Sequence, residues 1–127
     1  MSFSVAQIAV FCIGLLHVVF AVGELHPWGG PKIMLVVLKK WARPLDLSEN
    51  DRNLVAMIVH NAGVYNGIVG AGLFATLWCG AAAQPVQVTL LAGGIVAGLV
   101  GSVTLSKATI VQAIAGAVAL AAVLTNL

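Results

Sequence analysis

The sequence predicts an all-α membrane protein, a single bundle of four transmembrane helices with a short interfacial amphipathic helix between spans one and two. Of its 127 residues, 61% are apolar and only 8% are charged. A soluble domain carries roughly 25% charged residues, so a soluble monomer of this composition would expose a largely apolar surface. The apolar residues also fall into four long runs. This length suits one domain, and the composition excludes a disordered chain.

Four segments are long enough to cross a membrane, which takes about 20 apolar residues in a helix. They are residues 3–25, 52–79, 85–106 and 107–127, within one domain that covers residues 1–127. Because the bilayer core offers no hydrogen-bond partners to the backbone, each segment is expected to be helical. The connections after the second and third spans are short, so consecutive helices are expected to run antiparallel.

The connection between the first two spans, residues 26–51, is the one long polar segment. Its apolar residues recur at spacings of three and four, at Ile33, Met34, Val37, Leu38 and Trp41. This pattern predicts a short helix at the membrane surface, anchored by Trp28 and Trp41. The simplest interpretation is an anchored connector; a lid over a membrane site or a docking surface is the alternative. Ser48 then predicts the N-cap of the second span.

The basic residues predict the orientation. All six Lys and Arg residues lie between spans one and two or between spans three and four, and these two loops share one side of a four-span protein. Basic loops stay in the cytoplasm, so the N- and C-termini are expected to be extracytoplasmic. The net charge of +2 is too small and too localised for nucleic-acid binding, which leaves the lipid bilayer as the expected partner.

Small residues recur at every fourth position in the later spans. Examples are Gly63 and Gly67, Gly94 and Gly98, and Ala113, Ala117 and Ala121. Such spacing lets helix backbones approach closely in lipid. Packing within one bundle and packing between copies both fit the pattern, so a homo-oligomer or a larger membrane complex remains open.

Polar side chains concentrate in the cytoplasmic halves of the spans. His17 and Glu24 are seven residues apart and therefore share a helix face. Counting eight residues from each membrane boundary places His17 and His60 at equal depth, roughly 12 Å. The other polar candidates are Asn61, Tyr65, Asn66, Thr104 and Gln112. Because polar groups at depth are costly, they are expected to face the protein interior or a cavity.

Three interpretations of this cluster remain open. It can be a set of interhelical hydrogen bonds, a ligand pocket open to the cytoplasmic leaflet, or a metal or haem site that uses His17, His60 and Glu24. No closely spaced pair of histidines supports a metal site. The sequence also lacks the known catalytic motifs, so it leaves open whether the protein is an enzyme and which cofactor it uses.

Several segments follow the pattern of one known family. His17 is followed by Glu24 seven residues later and then by Trp28, and residues 61–67 read Asn-Ala-Gly-Val-Tyr-Asn-Gly. These segments, with residues 97–104 and 111–112, resemble the first to fourth helices of domain-of-unknown-function family 1304, small bacterial membrane proteins. The resemblance implies four helices and a bacterial inner-membrane location but no activity. The positions that match are His17, Glu24, Asn61, Tyr65, Asn66, Thr104 and Gln112.

The chain departs from the family pattern at a few positions. Leu16 stands where the family has an acidic residue, Ala62 replaces a glutamine and Val100 a tyrosine. His60 is not part of the pattern, which weakens a metal pair with His17.

The leading functional hypothesis is the binding of a small or amphipathic ligand in a polar pocket in the cytoplasmic half. One alternative is a transporter or exporter subunit that acts as an oligomer. The other is an accessory structural subunit of a larger membrane complex. The outer half has few polar side chains, chiefly Gln7, Thr76, Thr89 and Thr125. This scarcity argues against a continuous transport path.

Overall fold

The computed structural model describes residues 3–26, 48–105 and 107–125. Its α-helices are α1 (Val5–Leu25), α2 (Glu49–Thr76), α3 (Gln84–Thr104) and α4 (Ile110–Leu124), with short 3-10 turns at Gly80–Ala83 and Lys107–Thr109. The described residues contain no strand. The predicted all-α class with four helices is therefore confirmed. The predicted surface helix, with Trp28 and Trp41, lies outside the described residues.

Three of the helical segments are long and apolar enough to cross a membrane. They are α1 with 21 residues, α2 with 28, and the 25 residues from Gly80 through the end of α3. The fourth helix has 15 residues, because Lys107–Thr109 of the predicted span 107–127 form a 3-10 turn and the helix ends at Leu124. Likewise, α2 begins at Glu49 and ends at Thr76, whereas the prediction was 52–79.

The first two helices begin with the same capping arrangement. The Ser4 hydroxyl accepts a hydrogen bond from the backbone N–H of Gln7, whose side chain accepts one from the backbone N–H of Ser4. Ser48 and Asp51 make the corresponding pair at the start of α2. Such reciprocal bonds satisfy backbone donors that the helix itself leaves unpaired. The predicted N-cap at Ser48 is confirmed.

Glycines set the register of an antiparallel bundle. A Cβ atom built on Gly70 would lie 2.9 Å from the carbonyl oxygen of Gly14, and one on Gly63 would lie 2.9 Å from Cγ of Leu25. Between α3 and α4, a Cβ on Gly98 would lie 2.7 Å from the backbone nitrogen of Ala113. These small residues thus bring helices of one chain together, as small residues do in membranes.

The bundle has two ends. We call the end where α1 begins and α4 ends the terminal end, and the end where α1 ends and α2 begins the loop end. Between them lies a cluster of buried apolar side chains from all four helices, which we call the apolar layer. It consists of Val10, Ile13, Leu73, Leu91, Ala119 and Val123.

Candidate functional site

Asn66 joins His17 and Glu24 across the contact between α1 and α2. Its Oδ1 lies 2.8 Å from Nδ1 of His17, and its Nδ2 donates to Oε2 of Glu24 at 2.7 Å. Because an amide oxygen only accepts, Nδ1 of His17 carries the hydrogen of this bond. We call these three residues the His17–Asn66–Glu24 chain.

The short side chain of Asn66 reaches both His17 and Glu24 because neighbouring glycines bring α2 close to α1. Asn66 lies three residues after Gly63 and four before Gly70, so all three share a helix face. Gly63 packs against the side chains of Glu24 and Leu25, and Gly70 packs against Val18 and Gly14, about two to three turns earlier in α1. The backbone of α2 is therefore close to α1 on both sides of Asn66.

The imidazole of His17 is buried and only half satisfied. Its side chain is 2% exposed, and its Nε2 has no hydrogen-bond partner among the described residues. A Cβ atom built on Gly94 of α3 would lie 3.3 Å from this nitrogen, so the ring occupies the space that a larger residue 94 would fill. On the other side, the amide of Gln112 donates to the carbonyl of Gly94 at 3.2 Å. Nε2 of His17 is thus enclosed against the backbone of α3 at Gly94.

The structure brings together four of the seven candidate residues. His17, Asn66 and Glu24 form the chain, and Gln112 fixes the backbone segment against which His17 packs. Asn61 is exposed, and the Tyr65 side chain is 63% exposed. The exposed Thr104 hydroxyl donates to the carbonyl of Val100 in its own helix. These last three residues do not join the chain.

His60 is not at the depth of His17, so the prediction of equal depth is wrong. Since Gly63 packs against Leu25, His60 lies beyond the end of α1, about two turns of α2 away from Asn66. The count of residues from each boundary assumed that both helices end at one level, but α2 extends past α1. Within the described ranges, no group of three or more His, Cys, Asp and Glu side chains could hold a metal ion.

A second polar feature, a cavity of about 340 Å³, lies at the terminal end. We call it the terminal cavity. Its lining residues are Ser4, Ala6, Gln7, Thr76, Leu77, Gly80, Ala81, Gln84, Gln87 and Val123. The sequence interpretation missed the contribution of α3, because Gln84 was assigned to a connection. The available signal was the spacing of Gln84 and Gln87, which places both on one helix face.

The charged side chains of the described residues all lie in one half of the bundle. The charged side chains of the described residues are Glu24, Glu49, Asp51, Arg52 and Lys107. All of them lie in the last turns of α1, the first turns of α2, or the turn before α4, which are at the loop end. The terminal cavity is therefore surrounded by uncharged groups throughout the part of the chain that is described.

The model of a family described as "Protein of unknown function (DUF1304)" matches residues 11–124. No curated protein and no solved structure matches the chain.

Proposed function

Given that the chain belongs to the DUF1304 family, we propose that it is a multi-pass inner-membrane protein that binds a small or amphipathic ligand at the His17–Asn66–Glu24 chain. The observation that carries the proposal is a buried imidazole with one nitrogen that has no partner among the described residues. Asn66 connects this imidazole to a carboxylate near the loop end.

The energetics support a functional role for His17. A buried polar atom without a partner destabilises a fold by about 1–3 kcal/mol. A leucine at position 17 would fill similar space without an unpaired ring nitrogen, although it would also remove the bond to Asn66. Ionisable residues inside membrane spans are by default candidates for functional sites.

The chemistry of the chain indicates the ligand's head group. Glu24 is half-buried at the loop end, and a carboxylate that accepts one bond from Asn66 retains further acceptor capacity. A head group with hydrogen-bond donors, cationic or neutral, therefore suits Glu24. An amphipathic ligand would leave its hydrocarbon tail in the surrounding bilayer.

The proposed orientation can be tested with a reporter at the C-terminus. The basic residues favour a cytoplasmic loop end, so alkaline phosphatase fused after Leu127 should be active, since it folds only outside the cytoplasm. A green fluorescent protein fusion at the same residue should be dark if it is exported through the general secretion pathway. Fluorescence with no phosphatase activity would contradict the orientation.

The binding site can be tested by native mass spectrometry of protein purified in a mild detergent. The expected result is a copurified small molecule that is retained by Thr104→Val, a control outside the chain, and lost in His17→Leu and Glu24→Gln. Both variants should stay folded, because interhelical hydrogen bonds in membranes are worth only about 0.6–2 kcal/mol. Folded variants that keep the molecule would contradict the site. A strongly destabilised His17→Leu with no bound molecule in either protein would favour a structural subunit.

Transport is the second candidate function, and the terminal cavity favours it. Along α1, Gln7 lines that cavity, Val10 and Ile13 belong to the apolar layer, and His17 follows. The two polar regions are thus separated by one layer of apolar side chains. A transporter subunit would have to open this layer, whereas a binding protein would keep it closed.

A further inference from the structure

We propose that the terminal cavity is a second binding site, which takes an uncharged head group rich in hydroxyls. The head group can come from a neutral glycerolipid or from a free polyol. This site shares no residue with the His17–Asn66–Glu24 chain and lies on the other side of the apolar layer. The inference therefore does not depend on the ligand proposed for the loop end.

The polar wall of the terminal cavity is held in place by hydrogen bonds within the bundle. Thr76 is 6% exposed; its hydroxyl donates to the carbonyl of Leu73 at 2.6 Å and accepts from Nε2 of Gln87 at 3.1 Å. Nε2 of Gln84 donates to the carbonyl of Val123 at 3.2 Å. Both amide groups are thereby oriented before a ligand arrives, which lowers the entropy lost on binding.

These bonds leave acceptors for a ligand. Each glutamine uses its amide nitrogen in the bundle, so its amide oxygen is left to accept from a hydroxyl. On the opposite wall, the amide oxygen of Gln7 accepts from Ser4, and its nitrogen is left to donate. Hydroxyl groups both donate and accept, and so they match this combination.

The absence of charged side chains from the described residues around the cavity argues against an ionic head group. The charged side chains of the described residues all lie at the loop end, about the length of α1 away. A charge removed from water without a counter-charge is strongly unfavourable, so a phosphate or carboxylate would gain no compensating partner among these wall residues. An uncharged group avoids that penalty.

The remaining wall includes apolar side chains. Ala6, Leu77 and Val123 contribute to it, and the 340 Å³ volume lies at the small end of the range for ligand sites. A head group of a few carbon atoms, with or without an attached acyl chain, fits these properties.

The test uses the full-length protein in lauryldimethylamine oxide, a detergent whose head group carries no hydroxyl. The probes are 1-monooleoylglycerol, free glycerol, and oleic acid as a charged molecule with the same acyl chain. Native mass spectrometry and thermal unfolding report binding. We expect saturable binding of monooleoylglycerol that is at least tenfold tighter than that of oleate. If free glycerol binds and monooleoylglycerol does not, and the variants below weaken glycerol binding, the site takes free polyols.

Two variants address the site in different ways. Gln87→Leu removes one hydrogen bond to the ligand and is expected to weaken binding up to about tenfold. Ala81→Phe fills the cavity while it keeps every bond described above, and is expected to abolish binding even if Gln87→Leu does not fold. Thr89→Val, a control on α3 whose hydroxyl bonds to Pro85 of its own helix, should bind normally. Absence of saturable binding, equal binding of oleate, or binding that survives Ala81→Phe would overturn the proposal.

Discussion

Replacing Gly98 by alanine is expected to lower the free energy of unfolding by about 1–3 kcal/mol, the usual effect of overpacking. The added Cβ would lie 2.7 Å from the backbone nitrogen of Ala113 and 3.0 Å from the carbonyl oxygen of Thr109. Both atoms belong to the main chain, so no side-chain rotation relieves the contact and α3 and α4 must separate. Thermal unfolding in detergent measures the effect.

The matched control is Gly93→Ala on the same helix. A Cβ at Gly93 meets no atom within 4 Å, and alanine favours a helix over glycine by up to about 1 kcal/mol. This variant should be as stable as the parent protein or more so. If Gly93→Ala and Gly98→Ala lower the free energy of unfolding equally, the close approach of α3 and α4 does not explain the effect of Gly98→Ala.

The second large effect is expected for Asn66→Leu. This change removes the bonds to both His17 and Glu24 and leaves two polar groups without their partner. Each group left unpaired is expected to destabilise the fold by about 1–3 kcal/mol. His17→Leu removes a group that is already half unpaired and should destabilise the fold less. Thermal unfolding of Asn66→Leu, His17→Leu and the double variant measures the coupling energy between Asn66 and His17.

Asn61→Leu provides the control for the loss of an amide. Asn61 lies on the same helix but is exposed, and exposed substitutions change stability by about 0.5 kcal/mol or less. If Asn61→Leu and Asn66→Leu lower the free energy of unfolding equally, the bonds of the His17–Asn66–Glu24 chain do not stabilise the fold.

The sequence was sufficient to predict the helices and part of the site. The apolar runs predicted four helices, and the spacing of His17 and Glu24 predicted that they share a face. The structure shows both bound to one side chain. Local periodicity determines these features, which explains why they can be read without tertiary information.

The relative heights of the helices could not be read in the same way. Hydropathy marks where a span ends, but the register between α1 and α2 depends on which glycine faces which residue. Gly63 packs against Leu25, and this contact moves His60 and Asn61 past the end of α1. It also leaves Asn66, rather than Asn61, opposite His17. The terminal cavity was missed for a related reason, because Gln84, Gln87 and Thr76 meet only when α2 and α3 pack.

The charged side chains of the described residues lie at one end of the bundle. The two proposed sites would therefore differ in how ligand binding depends on the membrane potential. From Glu24 to His17 the α1 axis covers seven residues, about 10 Å, or roughly a third of a 30 Å hydrocarbon core. Moving one elementary charge through the whole field changes its energy by about 2.3 kcal/mol per 100 mV. If Glu24 lies at the hydrocarbon boundary, the energy of a cation that binds beside His17 from the loop end would change by about 0.8 kcal/mol per 100 mV. An uncharged ligand in the terminal cavity would be insensitive to voltage.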